Sequence, residues 1–313
     1  MTYTIVITTK NRQNCLNKLL TDIGNQSSYP QEIIIVDDSS ISPIYVPPHF
    51  KYTKCKLIRN RVSKGCIASR NLAFNHSTGE FVFCIDDDVR IPHKKLFEEA
   101  LHYFSIIPQA GAIAFSQQKQ NGSWYKTQPA NKNSMAFIQT FYGYCWGIRR
   151  NIFLQCKGFL EYFEYGYEET EFCLRMLAIG HKVLWHPMLH VIHLKESQGR
   201  ESRSYLVLRN KLYTIFLHSP LYMIIPLSLK AILRYSGGLW LGDRHWMENA
   251  NHMDIPKAIL DFVLHIKFLW EKRKPVCLSV MLKFSQLEKN PEVISKATFN
   301  MPKIQLSSIQ KHS

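Results

Sequence analysis

The stretch Phe81-Val82-Phe83-Cys84-Ile85-Asp86-Asp87-Asp88 decides how this chain is read. An apolar strand delivers three consecutive carboxylates to its C-terminal end. Adjacent aspartates repel one another and cost desolvation unless a cation neutralises them. Alternate residues of a strand face the same side, so Asp86 and Asp88 are expected to point together and Asp87 away. Two hard oxygen donors at that spacing suit Mg2+ or Mn2+, above all when phosphate oxygens complete the shell. A solvated acidic turn or a helix cap is the plain alternative, and the surrounding residues decide between them.

Working outward, residues 4–9 form a β-branched strand, and Leu16, Leu19, Leu20 and Ile23 follow at helical spacing. Ile33 to Val36 is a second continuous apolar strand, ending in Asp37-Asp38-Ser39-Ser40. A short strand at 56–58 precedes a helix over 65–75, and Phe97, Leu101 and Phe104 mark a helix behind the Asp triplet. Continuous apolar strands alternating with helices predict a parallel sheet covered on both faces, with ligands beyond the carboxyl ends of its strands. Three of those ends are polar here: Thr8-Thr9-Lys10-Asn11, Asp37-Asp38 and Asp86-Asp87-Asp88. Further on, a strand is expected at 112–115, a polar loop over 117–133 that could cover a ligand, a helix at 168–179 and a short strand at 182–185. His190 and His193 follow that last strand.

The 313 residues suffice for a full core, and 46% hydrophobic against 20% charged residues read as globular. The net charge of +15 points to anionic partners. Nucleic acid is not expected among them, because no helix-turn-helix, zinc or aromatic RNA-binding signature accompanies the charge. Eight scattered cysteines without a C-x-x-C pair read as reduced thiols, and the N-terminus lacks the pattern of a signal peptide. A cytoplasmic protein is therefore expected.

From Arg200 onward there are 17 Lys+Arg against 8 Asp+Glu. Residues 215–229 are mostly apolar but shorter than a membrane span and interrupted by Pro220 and Pro226. Ile259, Phe262, Val263, Ile266, Leu269 and Trp270 form an amphipathic stripe before Lys272-Arg273-Lys274. This segment reads as a helical extension resting on the anionic inner face of the cell membrane. It reads equally as a packed helical subdomain or homo-oligomer interface. The last two dozen residues read as a weakly ordered tail.

Taken in order, the motifs resemble family 2 glycosyltransferases of the GT-A fold across about residues 3–212. They are Ile5-Val6-Ile7-Thr8-Thr9-Lys10-Asn11-Arg12, Ile35-Val36-Asp37-Asp38-Ser39-Ser40, Asn60 with Gly65 and Ala68-Ser69-Arg70-Asn71, and Gly79-Glu80-Phe81 leading into the Asp triplet. Gly158-Phe159, Gly166-Tyr167-Glu168-Glu169-Thr170-Glu171 with Arg175 and Gly180, Pro187 with His193, and Arg209-Asn210 complete the set. The resemblance implies a Rossmann-like, mostly parallel sheet flanked by helices. A catalytic domain is expected over 1–205, with a nucleotide-sugar half at 1–110 and an acceptor half at 111–205. A basic helical extension follows over 206–313.

The resemblance also implies roles. Thr8, Asp37 or Asp38, and Arg70 would hold the donor's nucleotide together with Asp86 and Asp87. Asp88 would ligate Mg2+ or Mn2+, with Asp86 on metal or ribose and His193 completing the shell. His190 and His186 compete for that last place. Glu169 stands where the family carries its catalytic base, usually an aspartate, and Glu168 precedes it. Trp146 would line the acceptor site, for a glycan or a lipid-linked acceptor. The expected reaction is an inverting, metal-dependent sugar transfer from a nucleotide-diphosphate-sugar in cell-surface polysaccharide or glycoconjugate synthesis. The alternatives are a nucleotidyltransferase, although no glycine-rich basic loop lies near the N-terminus, and an inactive nucleotide-sugar-binding protein.

Overall fold

The computed structural model describes residues 1–47, 54–124, 134–194, 204–241 and 251–294. Its first half follows the apolar pattern. Strands β1 (Tyr3–Thr9), β2 (Glu32–Asp37), β3 (Cys55–Arg59) and β4 (Phe81–Asp86) are parallel in the order β3-β2-β1-β4, linked by α1 (Gln13–Gly24) and α2 (Gly65–His76). Side chains alternate across this sheet. Ile5, Ile7, Ile33, Ile35, Phe83 and Ile85 pack on one face with Leu16, Leu19 and Leu20 of α1. Val6, Ile34, Val36, Val82 and Cys84 pack on the other with Ile67, Ala73 and Phe74 of α2. Burying such a side chain contributes about 1.5–3 kcal/mol, which is why continuous β-branched runs settle at the centre of a two-faced sheet.

The second half makes the sheet mixed. After β5 (Val89–Arg90) and α3 (Leu96–Ile106) come β6 (Ala110–Gln118), β7 (Ala136–Ile138), β8 (Cys145–Arg149), α4 (Arg150–Gln155), α5 (Glu168–Ala178) and β9 (Lys182–His193). β8 inserts antiparallel between β4 and β6, while β6 and β9 are parallel. The strand expected at 182–185 continues to His193. Its register on β6 jumps between Phe115↔His186 and Ser116↔His190. Pro187 has no N–H for the ladder, so the strand bulges there and then resumes. That extension carries His193 to a position opposite Val89, one residue past the Asp triplet.

The C-terminal segment forms α6 (Ser204–His218), α7 (Leu221–Leu241), α8 (Asp254–Leu264), α9 (Ile266–Lys272), α10 (Leu278–Lys289) and β10 (Glu292–Val293). It does not stand apart, because β10 pairs with β7 at the sheet edge. Asn210 of α6 donates to the carbonyls of Phe163, Tyr165 and Gly166 at 2.8, 3.0 and 2.7 Å, fixing the loop that launches α5. His218 Nε2 lies 2.7 Å from Glu171 Oε1, and Arg175 grips both oxygens of the same carboxylate at 2.6 Å. The Arg175 charge, with the hydrogen bonds from His218 and Arg175, holds the buried Glu171 carboxyl below its usual range despite desolvation. Glu171 is thus an anchor between α5 and α6. Residues 215–229 resolve into the end of α6 and the start of α7. Most of the expected covering loop and the terminal tail lie outside the described residues.

Candidate active site

At the end of β4 the chain turns, and the three aspartates separate. Asp87 is buried, accepting from Thr9 Oγ1 at 2.6 Å and from Arg12 Nη1 at 3.0 Å. Burial pushes its pKa up to about 6, against the pull of Thr9 and Arg12. Asp87, expected among the nucleotide ligands, is buried and ties the turn to the end of β1 through Thr9. Asp86 and Asp88 sort together, through a turn rather than through strand alternation.

Asp86, Asp88 and His193 each offer a ligand atom within 4.8 Å of the others. His193 Nε2 lies 3.2 Å from Asp88 Oδ1. Its Nδ1 meets the Gln117 side-chain amide at 2.8 Å, and its ring stacks on Tyr144 at 5.3 Å. Histidine ligands are held in this way, by a partner on the second ring nitrogen. Two carboxylates and one imidazole form a donor set that suits Mn2+ or Mg2+. The competing histidines are engaged elsewhere. His186 is buried against Tyr103 at 4.4 Å, with its pKa lowered to about 4 by burial, and His190 Nδ1 faces the Met188 carbonyl at 3.2 Å.

Arg70 joins this trio to the acids of α5. Its buried guanidinium donates from Nη2 to Asp86 Oδ1 at 2.9 Å and to the Gly143 carbonyl at 3.0 Å. Its Nη1 lies 3.4 Å from Glu168 Oε1 and 3.9 Å from Glu169 Oε1. Gly166 (φ 77°) and Tyr167 (φ 69°) adopt left-handed backbone just before α5, which turns the helix N-terminus and both glutamates toward Arg70. Glu168 is buried and Glu169 partly open to solvent. Burial, then the charge of Glu168, pushes Glu169 up to about 8, with Arg70 opposing; burial raises Glu168 as well. Gly143 is required by proximity, since a Cβ there would sit 2.4 Å from Glu169 Oε1 and 3.0 Å from Arg70 Nη2.

The remaining expected residues divide. Thr8, next to last in β1, lies in register with Asp86. Asp37 caps its turn, accepting from Ser40 N at 2.9 Å and Arg59 Nη1 at 2.7 Å. Asp38 accepts from Asn60, Ser63, Ser69 and the Lys64 and Gly65 amides, all within 3.1 Å, and these bonds keep its carboxyl below the usual range despite partial burial. Both aspartates face the correct edge, but their hydrogen bonds are internal. Trp146 departs from its expected acceptor role. It is fully buried between Phe74 (5.4 Å) and Phe141 (4.3 Å), because position 146 of β8 faces the α2 side of the sheet. The aromatic rings beside the trio are Tyr144 and, stacked on it at 6.2 Å, the exposed Tyr142. Arg12, Gln117 and Gly143 also touch the candidate residues, at Asp87 and Asp88, His193 and Arg70 respectively. Arg12 stands in the first quoted motif, whereas no local pattern marks the other two.

Known proteins resemble this chain in sequence and in fold. One relative is an uncharacterized glycosyltransferase, YwdF, of Bacillus subtilis, 28% identical over 144 residues covering 45% of this chain and 52% of YwdF. The chain spans about half the length of the curated relatives it matches. Among solved structures, S. aureus TarS 1-349 in complex with UDP-GlcNAc shares the fold with a TM-score of 0.62 at 15% identity, over 87% of this chain and 84% of that one. The mannosyltransferase PcManGT of Pyrobaculum calidifontis, in complex with GDP-Man and Mn2+, superposes with a TM-score of 0.56 at 14% identity, over 91% and 83%. The fold is GT-A. Residues 4–164, just over half of the chain, match the model of glycosyl transferase family 2, and the protein belongs to that family.

Proposed function

We propose that this protein is a metal-dependent, inverting glycosyltransferase. It would move a sugar from a nucleotide-diphosphate-sugar to an acceptor hydroxyl on a glycan or lipid-linked molecule, in the synthesis of cell-surface polysaccharide or glycoconjugate. The observation that supports this most is the span of Arg70. One guanidinium lies within 3.9 Å of Asp86, Glu168 and Glu169, so the metal-suited trio and the candidate base lie side by side.

Asp86, Asp88 and His193 would hold the cation, which when bound neutralises the departing diphosphate. The nucleotide would lie over the carboxyl ends of β1 and β2, bounded by Thr8, Asp37 and Asp38. Glu169, raised toward neutral pH by burial and by Glu168, would take the proton from the attacking hydroxyl. Arg70 would keep the acid pair and Asp86 together without neutralising the base outright. A single base opposite the leaving group gives inversion at the sugar carbon. The nucleotide-sugar complexes of TarS and PcManGT support a donor of this class.

An inactive nucleotide-sugar-binding protein is the second reading. It is favoured by Arg12 and Arg70, which already compensate the acids of the site. Incubation with UDP-, GDP- and dTDP-sugars and Mn2+ or Mg2+ separates the two. At least one donor should be hydrolysed or transferred, and EDTA should stop it. Nucleotide binding with no turnover of any donor would favour the second reading.

A further inference from the structure

The C-terminal helices carry an apolar surface that the catalytic cleft does not use. On α7, Tyr222, Ile225, Leu229 and Leu233 recur every three to four residues and are 55–72% exposed. The opposite side of α7 is accounted for. Ala231 and Tyr235 pack with Leu208 and Leu212 of α6 and with Ala258 of α8, and Tyr235 Oη donates to Asp254 Oδ2 at 2.8 Å. α8 repeats the arrangement, with Ala258 inward and Leu260, Val263 and Leu264 exposed, and Trp270 of α9 is exposed beyond them. Exposed apolar stripes of this extent on neighbouring helices mark an interaction surface.

Charge identifies the occupant. On α7 there are two Lys+Arg and no Asp or Glu, while α8 and α9 together carry three of each sign. Exposed Lys230 follows Leu229 in the chain, and Arg234 follows Leu233 while pairing with Glu288 at 2.8 Å. Exposed Lys267 and Lys272 lie on either side of Trp270, with exposed Glu271 directly beside it. An apolar stripe edged by cations, with an exposed tryptophan, matches a layer whose interior is hydrocarbon and whose surface is anionic. No helix among the described residues is long and apolar enough to cross a membrane, so such a helix would lie along the surface. We propose that the outward faces of α7 and α8, with Trp270, rest in the headgroup layer of an anionic lipid bilayer. Each Lys or Arg near the surface then contributes about fivefold in partitioning.

The test is co-sedimentation of the full chain with vesicles of phosphatidylcholine alone or containing about 30% phosphatidylglycerol, in low and high salt. Binding is expected only to the anionic vesicles, at least tenfold weaker in high salt. The triple variant Ile225→Ser/Leu229→Ser/Leu233→Ser should lose binding tenfold or more without a change in melting temperature, because these side chains are exposed. Lys230→Glu, which leaves the stripe intact, should lose fivefold or more and carries the test if the triple variant does not fold. Equal binding to both vesicle types, or none in low salt, overturns the proposal. So does a salt-insensitive dimer that the serine substitutions dissociate, which would give the face to a second copy of the chain.

Discussion

Replacing Arg70 with methionine keeps the aliphatic stem and removes only the charge that Asp86, Glu168 and Glu169 share. The cost follows from what the buried acids do next. An uncompensated buried carboxylate takes up a proton rather than remain ionised. Loading one extra proton onto a carboxyl with an ordinary value of 4.5 costs at most about 3.4 kcal/mol at pH 7, at about 1.4 kcal/mol per pH unit, and less here because burial already raises Glu168 and Glu169 in the wild type. That upper bound falls within the roughly 3–5 kcal/mol typical of breaking a buried ion pair from one side. The sign is set by linkage. The folded variant binds more protons than its unfolded chain, so its deficit relative to wild type is largest at neutral pH and shrinks as pH falls toward 4.5. Urea unfolding should give a deficit of up to about 3 kcal/mol at pH 7 that shrinks at pH 6. No measurable deficit, or one independent of pH, would refute the view that Arg70 is the shared counter-charge of the site.

Three further outcomes are expected. Glu169→Gln should lose turnover by about a hundredfold or more while nucleotide-sugar affinity stays within threefold, measured by initial rates and titration calorimetry. In the wild type kcat/KM should rise with pH, tenfold per unit, toward a limb near 8 set by the raised Glu169, and this limb should vanish in Glu169→Gln. Trp146→Ala should cost about 3–5 kcal/mol in chemical denaturation, because the indole fills the core between Phe74 and Phe141; an unaltered stability with a raised acceptor KM would return Trp146 to the acceptor site.

The parallel half of the fold was legible because its apolar runs are continuous, and ends of such strands gather polar residues for a physical reason. The mixed half was not. β7 and β10 are three and two residues long, and β8 owes its place to pairing with β4 and β6 rather than to any local pattern. β9 was read short because Pro187 interrupts its ladder, although the strand resumes after the bulge. Within the site, Asp86, Asp88, His193 and the Glu168-Glu169 pair stand out by chemistry and order. Arg12, Gln117 and Gly143 act through contacts between distant segments. Trp146 misleads because an aromatic residue near a site looks the same in sequence whether it faces a ligand or the core.

The most direct test of the central claim is metal-dependent donor hydrolysis by Asp88→Asn beside the wild type, with Mn2+ binding measured on both in the presence of a nucleoside diphosphate. One Mn2+ per wild-type chain and hydrolysis abolished by EDTA are expected. Asp88→Asn should lose about a hundredfold or more in both binding and rate. Wild-type rates from Asp88→Asn, or full wild-type turnover in EDTA, would contradict that claim.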